Sequence, residues 1–228
     1  MTEPVFSASR TKIKRARKFI TELENFLAPY TELRPCKSQI FQDGQEPKIQ
    51  FEWPSIGDEP GAIIGDAIHN MRTALDLMAS ELARHHSGTD KNVYFPFAES
   101  ADEIERMIER RFKKAGAAAC DLVRTYKPYT GGNVALRAVH DLDIRDKHTM
   151  VIEAQLSSEV LVSANYDIDN PLAGQCEVLV RHERFLFSAD TVLSGQDIVP
   201  TLKTLVDEIE RIIESFAHLI SFGEAGAS

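Results

Sequence analysis

Little in these 228 residues could cross-link the chain or anchor it in a membrane. Only three cysteines occur, Cys36, Cys120 and Cys176, widely spaced and with no C-x-x-C pair, which excludes a disulfide framework and a cysteine-rich zinc site and fits a reducing cytoplasm. No apolar run approaches the ~18 residues of a membrane span, and the first eighteen residues are rich in charge, unlike a secretion signal. Basic excess is missing as well. Lys and Arg number 26 against 35 Asp and Glu, a net charge of −9, so the molecule as a whole is not built to bind polyanions and any nucleic-acid surface must be local. Low-complexity segments and internal repeats are absent. At 43% hydrophobic and 27% charged residues, the composition is that of an ordinary globular protein, long enough to bury a core unaided.

What is present is helical rhythm. Ile13, Ala16, Ile20, Leu23, Leu27 and Tyr30 recur at steps of three and four, predicting a helix from about Ser9 that ends near Pro35. Ile64, Ile68, Met71, Leu75, Met78 and Leu82 predict a second from about Pro60 to His86, stopped by Ser87-Gly88. Ile198, Leu202, Leu205, Ile209, Ile212, Phe216 and Leu219 predict a third from about Asp197 to Phe222. Shorter helices are expected over 101–115, 116–126 and about 133–143. Alternation in Ser38–Gln42 and Lys48–Trp53 around Asp43-Gly44 reads as a β-hairpin. Four β-branched or aromatic runs, His148–Leu156, Glu159–Ala164, Cys176–Arg181 and Phe185–Ala189, read as a small antiparallel meander. The expected class is α+β and predominantly α: three long helices in an antiparallel bundle, one domain over 1–222 with β insertions at about 36–53 and 148–195, and a flexible tail at 223–228.

Three constellations could carry chemistry. His69, Arg72 and Asp76 share a stripe of the second helix, where Arg72 and Asp76 could form an ordinary i,i+4 pair or could grip a phosphate and activate a hydroxyl. The stretch from His140 to His148 holds seven ionisable residues at a helix end, more than a C-terminal dipole requires, so Asp146, Lys147 and His148 become candidates to meet Arg72 and Asp76 in one site. Arg10 to Lys18 places six cations in nine residues at a helix start, where the dipole prefers anions. These form either a solvated basic face or a docking site for RNA or an acidic partner, with Lys14, Arg15 and Lys18 at its centre and His69 a further contact. His85-His86 lacks partners at ligand spacing, so no metal and no cofactor is expected.

Four ordered segments, His69-Asn-Met-Arg-Thr-Ala-Leu-Asp76, Asn92-Val-Tyr-Phe-Pro-Phe97, Tyr126-Lys-Pro-Tyr129 and Leu142-Asp-Ile-Arg-Asp-Lys-His148, resemble the landmarks of a group of uncharacterised bacterial proteins. More loosely, the chain is similar to the HEPN superfamily, helical bundles that often act as metal-independent RNases in toxin–antitoxin and phage-defence systems, with sites commonly completed across a dimer. Their signature is an arginine followed, after about four to six residues, by a histidine on a long helix. The arginine falls on Arg72, and the histidine's place is taken by Leu77; Thr149 likewise stands where the bacterial group carries arginine. The resemblance implies a cytoplasmic homodimer that binds nucleic acid or a protein partner with its catalytic motif degenerate. Two alternatives stay open: an endoribonuclease using a composite site of Arg72, Asp76, Asp146, Lys147 and His148, and a structural or antitoxin-like interaction protein.

Overall fold

A computed structural model describes residues 5–31, 37–43, 46–52, 56–148, 152, 154–165 and 175–225. In chain order these form α1 (Ser7–Thr31), β1 (Lys37–Asp43), β2 (Glu46–Glu52), α2 (Glu59–Ser87), α3 (Ala101–Arg111), a 3₁₀ turn (Lys113–Ala115), α4 (Ala117–Tyr126), α5 (Val134–His148), β3 (Ala154–Asn165), β4 (Gln175–Phe187) and α6 (Ile198–Ala225). The class is α+β and mostly α, with a helical bundle at its centre.

Helix α2 is the axis of the bundle. Pro60 stands in its first turn, where a missing N–H costs nothing, and Gly88 ends it at φ 72° with its N–H on the Arg84 carbonyl, a left-handed cap that glycine adopts freely. Ile64, Ile68, Met71, Leu75 and Met78 are fully buried, as the 4-3 stepping predicts. Against them pack Ile13, Ala16, Ile20 and Leu23 of α1 and Leu202, Ile209, Ile212 and Phe216 of α6. Orientation follows from the polar contacts at the edges. The Phe6 N–H donates to Glu81 (2.7 Å) and Ser9 Oγ to the Ala74 carbonyl (2.7 Å), so α1 runs antiparallel to α2. Arg10 meets Glu214 and Lys203 meets Glu24, so α1 is antiparallel to α6 too. Helices α2 and α6 are therefore parallel to each other, as one pair must be when α1 runs against both.

The β regions depart from the expected pattern. β1 and β2 pair antiparallel from Lys37 opposite Glu52 to Asp43 opposite Glu46; the connecting residues 44–45, and Trp53, lie outside the described residues. In place of a four-stranded meander there are two long strands, β3 and β4, paired antiparallel with a register shift at Leu161/Val162. The short runs expected as separate strands fuse because Ser157-Ser158 and His182-Glu183-Arg184, which read as breaks, are ordinary positions in a ladder whose hydrogen bonds depend on backbone alone. Phe185 and Phe187 bury their side chains at the bundle end of β4. Residues 166–174 lie outside the described residues. The expected start of the β region at His148 is helix instead: α5 continues five residues past Asp143. At the C-terminus α6 continues to Ala225, so residues 223–225 are helical and only 226–228 of the expected tail lie outside the described residues.

Candidate functional site

Helices α2 and α5 pack antiparallel, which sets parts of their charged stretches against each other, level by level. Gly65 lies against Asp146, His69 against Asp143, and Arg72 reaches His140 through an intervening ring. At the first of these levels the approach is close: a Cβ on Gly65 would fall 2.3 Å from Asp146 Oδ1, so the absence of a side chain lets the carboxylate rest on the α2 backbone. At the second, Asp143 is 5% exposed, a depth at which a lone carboxylate is costly. Two groups offset that cost. Lys147 Nζ, one turn on, donates to Oδ2 at 2.7 Å, and His69 Nδ1 stands 2.9 Å from Oδ1. The far nitrogen of the imidazole, Nε2, is 3.4 Å from Thr73 Oγ1.

The third level is an aromatic sandwich. The Arg72 guanidinium lies 4.6 Å from the Phe97 ring centre, and Phe97 stacks on His140 with centroids 4.4 Å apart and planes 5° from parallel. Arg72 also pairs with Asp76 at 2.5 Å, and Asp76 accepts the Phe95 N–H at 2.9 Å. The irregular segment Asn92–Phe97 is thereby tied to α2, its alternate residues Val93, Phe95 and Phe97 turned into the core. Burial pushes the His140 imidazole down to about 4, with the Arg72 and Arg137 charges adding to the effect, so the ring is neutral at pH 7. Its Nδ1 is buried without a hydrogen-bond partner. Asp146 moves the other way: burial raises its pKa, reinforced by the Asp143 and Asp66 carboxylates.

Of the residues expected in one composite site, Arg72 and Asp76 are in contact with each other, and Lys147 stands by Asp143. Asp146 is not beside Arg72: Gly65 and Arg72 are two turns apart on α2, about 10 Å along its axis, so the expected Arg72–Asp146 meeting is replaced by Asp146 on Gly65. His148 is the last residue of α5, and its side chain, like Thr149, lies outside the described residues. Leu77 is partly buried on α2.

On α1, Lys14, Arg15 and Lys18 are exposed, with Arg15 lying 5.0 Å over the Phe19 ring. His69 does not join them, since it faces α5 while α1 packs on the Ala74 side, about 140° around α2. Part of the basic run has a structural use: Arg10 pairs with Glu214 (2.8 Å) and Arg17 with Asp207 and Glu210 (2.7 and 2.6 Å) on α6.

Asp143, His140 and Phe97 stood in the segments noted in the sequence without being chosen as site residues, and Gly65 was not noted at all. A signal for Asp143 existed: with the helix carried to His148, Asp143 and Lys147 stand at i and i+4. Among the described residues no group of three or more His, Cys, Asp or Glu side chains could hold a metal ion, and no helix is long and apolar enough to cross a membrane. No family model, curated protein or solved structure matches the chain.

Proposed function

We propose that this chain is a HEPN-like binding protein without efficient catalysis, which takes up nucleic acid on the outward face of α1 and uses the α2–α5 seam to hold its bundle together. One observation carries the reading: the polar groups that could do chemistry are already engaged with one another, while Lys14, Arg15 and Lys18 on α1 have no carboxylate partner among the described residues. Asp76 is shared between Arg72 and the Phe95 N–H, and Asp143 between His69 and Lys147. Lys14, Arg15 and Lys18 face solvent. With Leu77 where the HEPN histidine would stand, the α2 motif lacks a group that titrates near neutrality, and such acid–base help contributes ~10²–10⁴-fold in rate. The reading includes a cytoplasmic homodimer and takes the two antiparallel strand pairs as hairpins appended to the bundle.

A catalytic reading has one observation in its favour. The His69 side chain is 42% exposed, and the buried Asp143 carboxylate orients its Nδ1, the arrangement that holds an imidazole ready to accept a proton on Nε2. An RNA-pool experiment separates the two. Binding should weaken steeply from 50 to 200 mM salt, and Lys14→Ala/Arg15→Ala/Lys18→Ala should lower the slope of log affinity against log salt by about two. Cleavage should be negligible and should rise in Leu77→His. Vigorous cleavage abolished by His69→Ala would establish the nuclease instead, and failure to bind RNA at any salt would leave the protein-partner reading.

A further inference from the structure

We infer that a cationic shelf around Tyr94, where the last turns of α2 and α3 meet the 3₁₀ turn, is a docking surface for single-stranded nucleic acid, distinct from the α1 face and independent of it. Residues 84–91 and 106–114 hold seven lysines and arginines against two carboxylates, a local excess of five positive charges on a chain of net −9. Part of this charge is accounted for structurally. Arg84 pairs with Asp90, Lys113 with Glu109 and Arg106 with Glu103, and a helix C-terminus gains from a nearby cation. Lys91, Arg110, Arg111 and Lys114 have no carboxylate partner among the described residues.

The shelf is also built rather than incidental. Lys114 Nζ donates to the Lys91 carbonyl at 2.8 Å and the Tyr94 N–H to the Arg111 carbonyl at 3.2 Å, which fastens the loop after α2 to the end of α3. Tyr94, 50% exposed, is the one aromatic among the exposed large apolar side chains of the described residues, and the Arg111 guanidinium lies 5.6 Å from its ring centre. A fixed, exposed ring with a stacked guanidinium and flanking cations is the arrangement on which an unpaired base stacks while phosphates meet the lysines. A small cleft of about 140 Å³ beside it is lined by Lys91, Asn92, Arg110 and Lys114 among others. An acidic peptide would gain from the cations and leave the ring unused; a duplex offers phosphates with its base faces already covered. The ring therefore selects a single strand.

The test is fluorescence anisotropy on the full chain with labelled oligouridine and oligothymidine of about twelve nucleotides, a duplex of equal length and polyglutamate, with thermal melting to confirm that each variant is folded. Single strands should bind more tightly than duplex. Lys91→Ala/Arg110→Ala should weaken single-strand binding at least tenfold and reduce the salt slope by one to two. Tyr94→Leu should weaken it about five- to hundredfold at unchanged slope, and Tyr94→Phe should restore it. Loss confined to the Lys14/Arg15/Lys18 triple variant would overturn this inference and leave the α1 reading standing; loss confined to the shelf variants would do the reverse. Polyglutamate bound as tightly as the oligonucleotides, with Tyr94→Leu silent, would assign the shelf to an acidic protein and overturn it. No binding to any nucleic acid would overturn both.

Discussion

Two seams of charge run along the bundle, and they differ in depth more than in composition. Between α1 and α6 the pairs Arg10–Glu214, Arg17–Asp207 and Lys203–Glu24 have side chains about 40–65% exposed. Between α2 and α5, the side chains of Asp143 and Arg72 are 7% and 13% exposed. Water screens the first set, so each pair contributes about 0–1 kcal/mol. In the second, a charge deprived of its partner has little solvent to turn to, and the energetic stakes rise several-fold. The α1–α6 seam can be read as a set of interchangeable surface contacts, whereas the α2–α5 seam is an arrangement in which each group depends on its neighbours.

The sharpest way to break the comparison is to strand the buried carboxylate. His69→Ala/Lys147→Ala leaves Asp143 without either partner and should cost about 3 kcal/mol, read from the urea midpoint; a loss no larger than that of a surface pair would show the two seams to be equivalent. Acid titration comes next. The unfolded His140 imidazole takes up a proton near 6.5 and the folded one only near 4, because burial and the Arg72 and Arg137 charges outweigh the attraction of Asp143 and Glu99. Between those values the unfolded chain binds more protons, so stability should fall as pH drops from about 6.5 to 4, by about 1–2 kcal/mol once the ring's partial exposure is allowed for. His140→Phe should flatten that dependence in chemical denaturation at a series of pH values.

A smaller effect should change sign. Gly65→Ala alone forces the Asp146 carboxylate to move and should destabilise, whereas in an Asp146→Ala background the same change should stabilise by up to about 1 kcal/mol, the helix-propensity gain of alanine over glycine. Equal effects in both backgrounds would show that the contact of an added Cβ with Asp146 carries no energy. Asp146→Asn should by itself stabilise at neutral pH, since a folded pKa raised above the ordinary value means that the ionised form is disfavoured in the native state. Smallest of all, Arg17→Ala should change stability by less than about 1 kcal/mol, and by less still in 0.5 M salt.

The helices were legible because their evidence repeats. Six apolar residues of α2 at 4-3 steps admit few other conformations, and Ile64, Ile68, Met71, Leu75 and Met78 are all buried. The strands were less legible, since a ladder of backbone hydrogen bonds carries serines, histidine and arginine as readily as valine. The extent of α5 was missed for a related reason. Asp141, Asp143, Arg145 and Asp146 look like a solvated turn until their partners are known: Asp143 and Asp146 lie against α2, Asp141 pairs with Arg137 and Arg145 with Asp190.

For the site, the sequence alone determined which residue types were dense and where: His69, Arg72 and Asp76 on one stripe, Asp146, Lys147 and His148 at a helix end, six cations on α1. Periodicity and local charge are properties of short segments, so they can be read from a segment. Which carboxylate meets which cation is decided by the antiparallel register of α2 and α5, and that register is a property of how their buried residues, such as Ile68, Met71, Val139 and Leu142, pack in the core. Only the tertiary structure could therefore choose Asp143 over Asp146 as the partner of His69 and Lys147, place Phe97 between Arg72 and His140, and bring Lys91 and Tyr94 of the loop after α2 onto one surface with Arg110 and Arg111 at the end of α3.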